Sequence, residues 1–263
     1  MDKATLIAIA VLVYAAANVT HEALGHGGAC VLVGGKPVEL NAVYFECDER
    51  GLGGAAIRWI SAGGTLVNLI VGALAALGLR LSGRGATPGR YALWLLMTVS
   101  LLQGTGYWLF SGLGNLGDWA KVVEGRSPIW LYRGLLSLLG GLGYVVSIRA
   151  SLRALAPFLG EGEPRVQRAR TLMLIPYLAG GLLYVTAGLF NPVSPALVLI
   201  SGAAASFGGT SALMWSFNLL RSPRWAAVDP GRPLSIERSP LLIACATAVA
   251  LFFIVVLGRT LRL

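Results

Sequence analysis

The stretch "ANVTHEALGHGGAC", residues 17–30, follows an unbroken apolar run and decides how the chain is read. It carries both histidines of the protein, His21 and His26, with Glu22 beside the first. An ionisable side chain within an apolar span is costly, and three near the end of one mark a functional site. In the common zinc-hydrolase arrangement two histidines four apart share a helical face, and the intervening Glu is the general base. Here the histidines are five apart. Four residues of α-helix turn through about 400°, leaving side chains about 40° apart, whereas five turn through about 500° and leave them about 140° apart. The two imidazoles can share a metal only where the helix is overfull, and a π-bulge absorbs one extra residue in this way. Gly25, Gly27 and Gly28 favour such a distortion. Two rival readings keep a regular helix: Glu22 pairs with His26, four residues on, or the histidines only hydrogen-bond at a helix end.

The rest of the chain sets this motif in a membrane. It has 263 residues, 56% hydrophobic and only 13% charged, where soluble domains carry about 25% charged residues. Taking about 20 apolar residues per crossing, spans are expected from about residue 4 to 33 and at 62–81, 91–111, 134–148, 172–190, 196–220 and 241–257. Between the first two, "VELNAVYF" is rich in β-formers and "ERGLGG" is a turn signal, so one or two short strands are expected at the membrane surface. The fold class is therefore an all-α polytopic membrane protein of about seven transmembrane helices, with a short membrane-associated β segment after the first. Residues 1–126, spans one to three, form a catalytic core; residues 127–263 are accessory helices of the same membrane domain. The expected location is an integral, multi-pass position in the plasma or inner membrane of a prokaryote.

The net charge is +9, but the arginines lie between apolar runs. They set topology and meet anionic headgroups, which argues against nucleic-acid binding. Arg80, Arg84 and Arg90, then Arg149, Arg153, Arg165, Arg168 and Arg170, then Arg221, Arg224, Arg232 and Arg238 follow the second, fourth and sixth spans. This side outweighs the other, which implies a cytoplasmic N-terminus and an outward-facing end of the first span. Cys30, Cys47 and Cys245 make no framework; a disulfide between Cys30 and Cys47 would lie on that outward side.

Two further residues could join the histidine motif. "GLGNLGD", residues 112–118, matches a dinucleotide fingerprint in letters only, because no βαβ unit surrounds it. Its Asp118 follows the third span, on the same membrane face as His26, and could supply a third metal ligand or simply cap the next segment. Asn68, in "SAGGTLVNLIVGAL", could donate to a substrate carbonyl or bridge two helices. The acidic run "FECDE", residues 45–49, reads as a hydrated turn.

This ordered set resembles the site-2 protease family of intramembrane zinc metalloproteases. That family has HExxH in a transmembrane helix, a membrane-associated β segment, an "AGPxxN"-like motif and a later Asp. The corresponding elements here are His21-Glu22…His26, "VELNAVYF", "AGGTLVN" and "GNLGD", across about residues 4–125. The chain departs in the extra residue of the first motif, in Gly64 where the family has Pro, and in lacking the Pro and "DG" of the last. A family of soluble zinc dipeptidyl peptidases does use HExxxH. The resemblance implies Zn2+ held by His21, His26 and Asp118, Glu22 as general base, and Asn68 positioning the substrate. The implied partner is a single-span membrane-protein substrate, with the site usually toward the cytoplasm. The alternatives are a membrane metal-binding or transport protein that cleaves nothing, and an inactive protease-like scaffold.

Overall fold

The computed structural model describes residues 1–83, 85–162, 164–191, 198–225 and 231–263. The first helix, α1 (Lys3–Leu32), opens on an Asp2 cap whose carboxylate accepts from the Thr5 amide at 2.8 Å. Strands β1 (Lys36–Leu40) and β2 (Phe45–Asp48) follow as an antiparallel pair, Lys36 opposite Asp48 and Leu40 opposite Phe45. Next come α2 (Gly54–Leu81) and α3 (Pro88–Gly114), the latter started by a Thr87 cap and Pro88. The short α4 (Asp118–Val123) precedes the long α5 (Ile129–Leu155) and α6 (Pro164–Leu189). After the small α7 (Ala212–Trp215), α8 (Pro240–Leu257) and β3 (Leu261–Arg262) close the chain.

Six helices among the described residues are long and apolar enough to cross a membrane: α1, α2, α3, α5, α6 and α8. The protein is thus an all-α, multi-pass membrane protein with one small sheet. The expected span at 196–220 begins outside the described residues, and the rest of it is not one helix. It winds as a π-helix over Val198–Gly208, turns, forms α7, and ends in 3-10 conformation over Ser216–Arg221. Three glycines, Gly202, Gly208 and Gly209, and three alanines leave it few side chains with which to fix a regular helix. The span expected at 134–148 is longer than the pattern suggested, because Arg133 and Arg149 both lie within α5. Arg133 turns back to donate to the Gly112 carbonyl at 3.1 Å.

The core sits where α1, α3 and α6 meet. Tyr14, Tyr91, Trp94, Phe158 and Tyr184 are fully buried there. Their polar tips find acceptors: Tyr91 donates to the Leu172 carbonyl at 2.7 Å, Trp94 to that of Ser151 at 2.9 Å, Tyr184 to that of Tyr14 at 2.9 Å, and Tyr14 to the Thr210 hydroxyl at 3.1 Å. The outward face of α5 presents Leu135, Leu138, Leu142 and Val146, an apolar surface suited to lipid.

The chain's two ends mark opposite ends of the bundle. The Asp2 amide donates to Ile236 and Leu234 to Phe158, both at 2.8 Å. At the other end β3 pairs with β1, giving the sheet order β2-β1-β3 and leaving β2 on an edge. The C-terminal strand left no usable signal in the sequence: two residues show no alternation. Asn41 ties the sheet to α8, donating to Gly258 and Thr260 while accepting from the Val43 amide. Asn18 ties it to α1 through the Ala42 carbonyl at 2.7 Å. A disulfide, Cys30–Cys47, joins the last turn of α1 to β2. It closes a loop with a sequence separation of 17, so the Cys30→Ser/Cys47→Ser pair should lower stability by about 3 kcal/mol. Thermal unfolding of both forms in the same detergent measures this, and equal midpoints would show that the sheet is held without the crosslink.

Candidate metal centre

Thr20–Gly27 is a π-helix, set between α-helical turns of α1. The Gly28 amide reaches the Ala23 carbonyl, five residues back, as that winding requires. Side chains five apart now stack, and His21 and His26 come together with their Nε2 atoms 3.2 Å apart. Of the three readings of this motif, the overfull helix is the one the chain adopts.

The winding is held by a backbone contact. Gly25 packs on Gly63 and Gly64 of α2 so closely that a Cβ on Gly25 would lie 2.5 Å from the Gly64 Cα. A Cβ on Gly64 would lie 2.5 Å from the Nε2 atoms of both histidines. A side chain at position 64 would crowd both imidazoles where they stand.

α3 ends in a sharp turn, with Asn115 at φ 54° and Gly117 at φ 77°. The turn folds Asp118 back over α1. Its Oδ2 lies 3.4 Å from His26 Nε2 and 3.6 Å from His21 Nε2, is shielded from solvent, and has no hydrogen-bond partner. Burial pushes the Asp118 carboxyl up, but the two imidazoles beside it outweigh burial and hold it well below the usual carboxylate range. His21, His26 and Asp118 thus form a triangle with edges of 3.2, 3.4 and 3.6 Å. Ligands about 2.0–2.1 Å from a tetrahedral ion lie about 3.3 Å apart, so the triangle fits a metal with these three donors.

The imidazoles are oriented from behind. His26 Nδ1 meets the Ile60 carbonyl at 2.8 Å. A carbonyl can only accept, so Nδ1 carries a proton, and Nε2 is the atom turned toward His21 and Asp118. His21 Nδ1 meets the Asn68 amide at 3.0 Å, and the Asn68 Oδ1 is otherwise unpartnered although Asn68 is 1% exposed. With a metal on His21 Nε2, Nδ1 must donate, so Asn68 faces it with Oδ1 and its two amide atoms exchange places. Asn68 stands behind His21, on the side away from Nε2, and is not among the residues that line the cavity. Tyr107 of α3 stacks on His21 from the side, with ring centroids 5.1 Å apart.

Glu22 is 5% exposed, lines the same cavity, and forms no hydrogen bond with another described residue. The cavity, of about 550 Å³, runs from the triangle past β2 to the π-helical Val198–Gly208 segment. Ala204, Ala205 and Gly208 form that wall, and Phe110 and Tyr144 stand across it. The acidic run 45–49 stays out of the centre. Asp48 pairs with Arg50, which holds its carboxyl at about 2, and Glu49 pairs with Lys121 at 2.8 Å on the rim.

Of the residues singled out from sequence, His21, His26, Asp118, Glu22 and Asn68 all meet at this one place. Gly64, the Ile60 carbonyl and Tyr107 were missed. The Gly63-Gly64 pair was a usable signal of close helix approach; a carbonyl and a packed ring leave none. No family model, curated protein or solved structure matches the chain.

Purified wild-type protein should carry a transition metal by elemental analysis, and His26→Ala and Asp118→Ala should lose it. Gly64→Ala should lose it too while remaining folded, since its methyl would crowd both Nε2 atoms; equal metal in all four proteins would rule the centre out. Asn68→Ala should weaken metal binding about 10- to 100-fold, while Asn68→Asp, which can still accept from Nδ1, should not. Titration against a competing chelator reads this difference.

Proposed function

We propose that the protein is an intramembrane zinc peptidase, hydrolysing a peptide bond of a membrane-protein substrate at the bilayer surface. The observation that carries this reading is Glu22: a buried carboxylate with no hydrogen-bonding partner among the described residues, beside a three-donor site that opens into a cavity. A purely structural zinc site is closed by four protein ligands, whereas three ligands leave a position for water or substrate. Zinc bound there would supply Lewis acidity, polarising a water and the scissile carbonyl. Borderline-soft zinc suits two imidazoles and one carboxylate, whereas magnesium and calcium favour all-oxygen sites.

The protein's own groups do the rest. Glu22 takes the proton of the attacking water and delivers a proton to the leaving nitrogen. The Ile60 carbonyl and Asn68 hold the two imidazoles in the tautomer that binds metal. Gly64 leaves the space between them open. Helical hydrogen bonds shield a peptide carbonyl, so the substrate segment must be extended when cut. β2 is an edge strand and its Phe45 and Cys47 line the cavity. An extended segment of a single-span protein can add to that edge.

Two observations support a site on the outward side of the membrane. Cys30–Cys47 lies beside it, and disulfides persist in oxidising compartments. The arginine-rich loops lie at the other end of the bundle, where positive charge marks the cytoplasmic face. This is opposite to the usual placement in the family that the sequence resembles.

The deciding experiment pairs metal content with cleavage of a single-span substrate in proteoliposomes. Glu22→Gln should keep its metal and lose about 10²- to 10⁴-fold in rate. Unchanged cleavage would remove Glu22 from the chemistry, and no cleavage by the metal-loaded wild type of any of a panel of single-span proteins would favour a metal-binding protein without proteolysis.

A further inference from the structure

We infer a second binding site, for an anionic phospholipid of the cytoplasmic leaflet, in the groove between the start of α6 and the Ser216–Arg221 segment. The groove is at the end of the bundle away from the metal centre, and its cavity of about 1030 Å³ is lined from both elements. Two gradients coincide there. On α6 the basic Arg170 precedes the apolar Leu174, which lies about 6 Å further into the bundle at 1.5 Å per residue. The opposite wall runs the other way along the chain, from Met214 through Phe217 to Arg221, over about 12 Å. Because the two walls are antiparallel, each sets its arginine nearer the membrane surface than Leu174, Met214 and Phe217, with Gln167 and Val166 continuing the α6 wall outward. That is the order of a phospholipid: acyl chain below, phosphate above.

The two guanidiniums are available. Among the described residues neither Arg170 nor Arg221 has a hydrogen bond or an ion pair, and both are exposed. Arg90 and Arg168 at the same end differ, since both are committed to backbone carbonyls at 85 and 159. The Asn218 amide is held by the Trp215 carbonyl at 2.9 Å, which fixes the turn that carries Arg221. A paired arginine site favours the planar, bidentate recognition of a phosphate. Phe217, 8% exposed, and Met214, 49% exposed, give the chain an apolar bed below it.

The same irregular segment joins this groove to the metal cavity: Gly208, Gly209 and Ser211 line one, and Met214 and Phe217 the other. The inference does not depend on proteolysis and needs no metal.

The test uses the full-length protein in detergent, with phosphatidylglycerol as the probe, read by native mass spectrometry and thermal unfolding. Wild type should retain phosphatidylglycerol and unfold at a higher temperature as the lipid is added. Arg170→Gln/Arg221→Gln should bind it roughly thirtyfold more weakly, while Arg170→Lys/Arg221→Lys retains part of the binding. Arg149→Ala/Arg153→Ala, which removes two exposed arginines of α5 at the same end, should bind as wild type does. An equal loss in that control would reduce the effect to the general charge of the face and overturn the site. Equal binding of phosphatidylcholine, or equal stabilisation by inorganic phosphate alone, would overturn it as well.

Discussion

One extra residue in one helical turn organises the centre. An α-helix separates His21 and His26 by well over a right angle; the π-helical Thr20–Gly27 turn brings their Nε2 atoms to 3.2 Å. A π-turn has poorer intrinsic geometry than an α-turn and is uncommon without tertiary support. The support here is the contact of Gly25 with Gly63 and Gly64, where two backbones touch without intervening side chains. The same contact clears the space in front of the imidazoles. A single packing event therefore sets the winding, the meeting of the two imidazoles and the space beside them.

Electrostatics explains why such a cluster is tolerated at the edge of a bilayer. Burying an unpaired carboxylate costs several kcal/mol, and Glu22 and Asp118 lie in the same cavity. The two imidazoles are held with their Nε2 atoms facing each other and the Asp118 oxygen, an arrangement that a cation between the three would favour. The donor set, the tautomer fixed by Ile60 and the unpartnered Asp118 oxygen all point to the same small volume.

Around this centre the molecule separates stiffness from irregularity. The β2 edge is anchored by the Cys30–Cys47 crosslink and by the asparagines Asn18 and Asn41, so one cavity wall is rigid. The facing wall is the end of the π-helical segment and the turn after it, Ala204 to Ser211, rich in glycine and alanine. Where irregular backbone occurs at membrane depth, it lines a cavity or is buried in protein, and this segment does line one. Tyr144 fixes it at one point by donating to Gly209 and accepting from Ala212.

Much of this was legible in the residues alone. Apolar length decided the membrane class and most of the crossings, because a bilayer demands about 20 apolar residues whatever they pack against. The five-residue spacing of His21 and His26 stated the geometric problem and its π-helical solution, because helix rotation is fixed by the backbone. Order along the chain brought Glu22, Asn68 and Asp118 into view as candidates. Only the tertiary structure could decide that Asn68 stands behind His21, that Gly64 faces both imidazoles, that Cys30 bonds to Cys47 and that the crossing expected at 196–220 is not one helix. Each of these depends on which backbone lies within a few ångströms of which, and spacing along one chain carries no record of that distance.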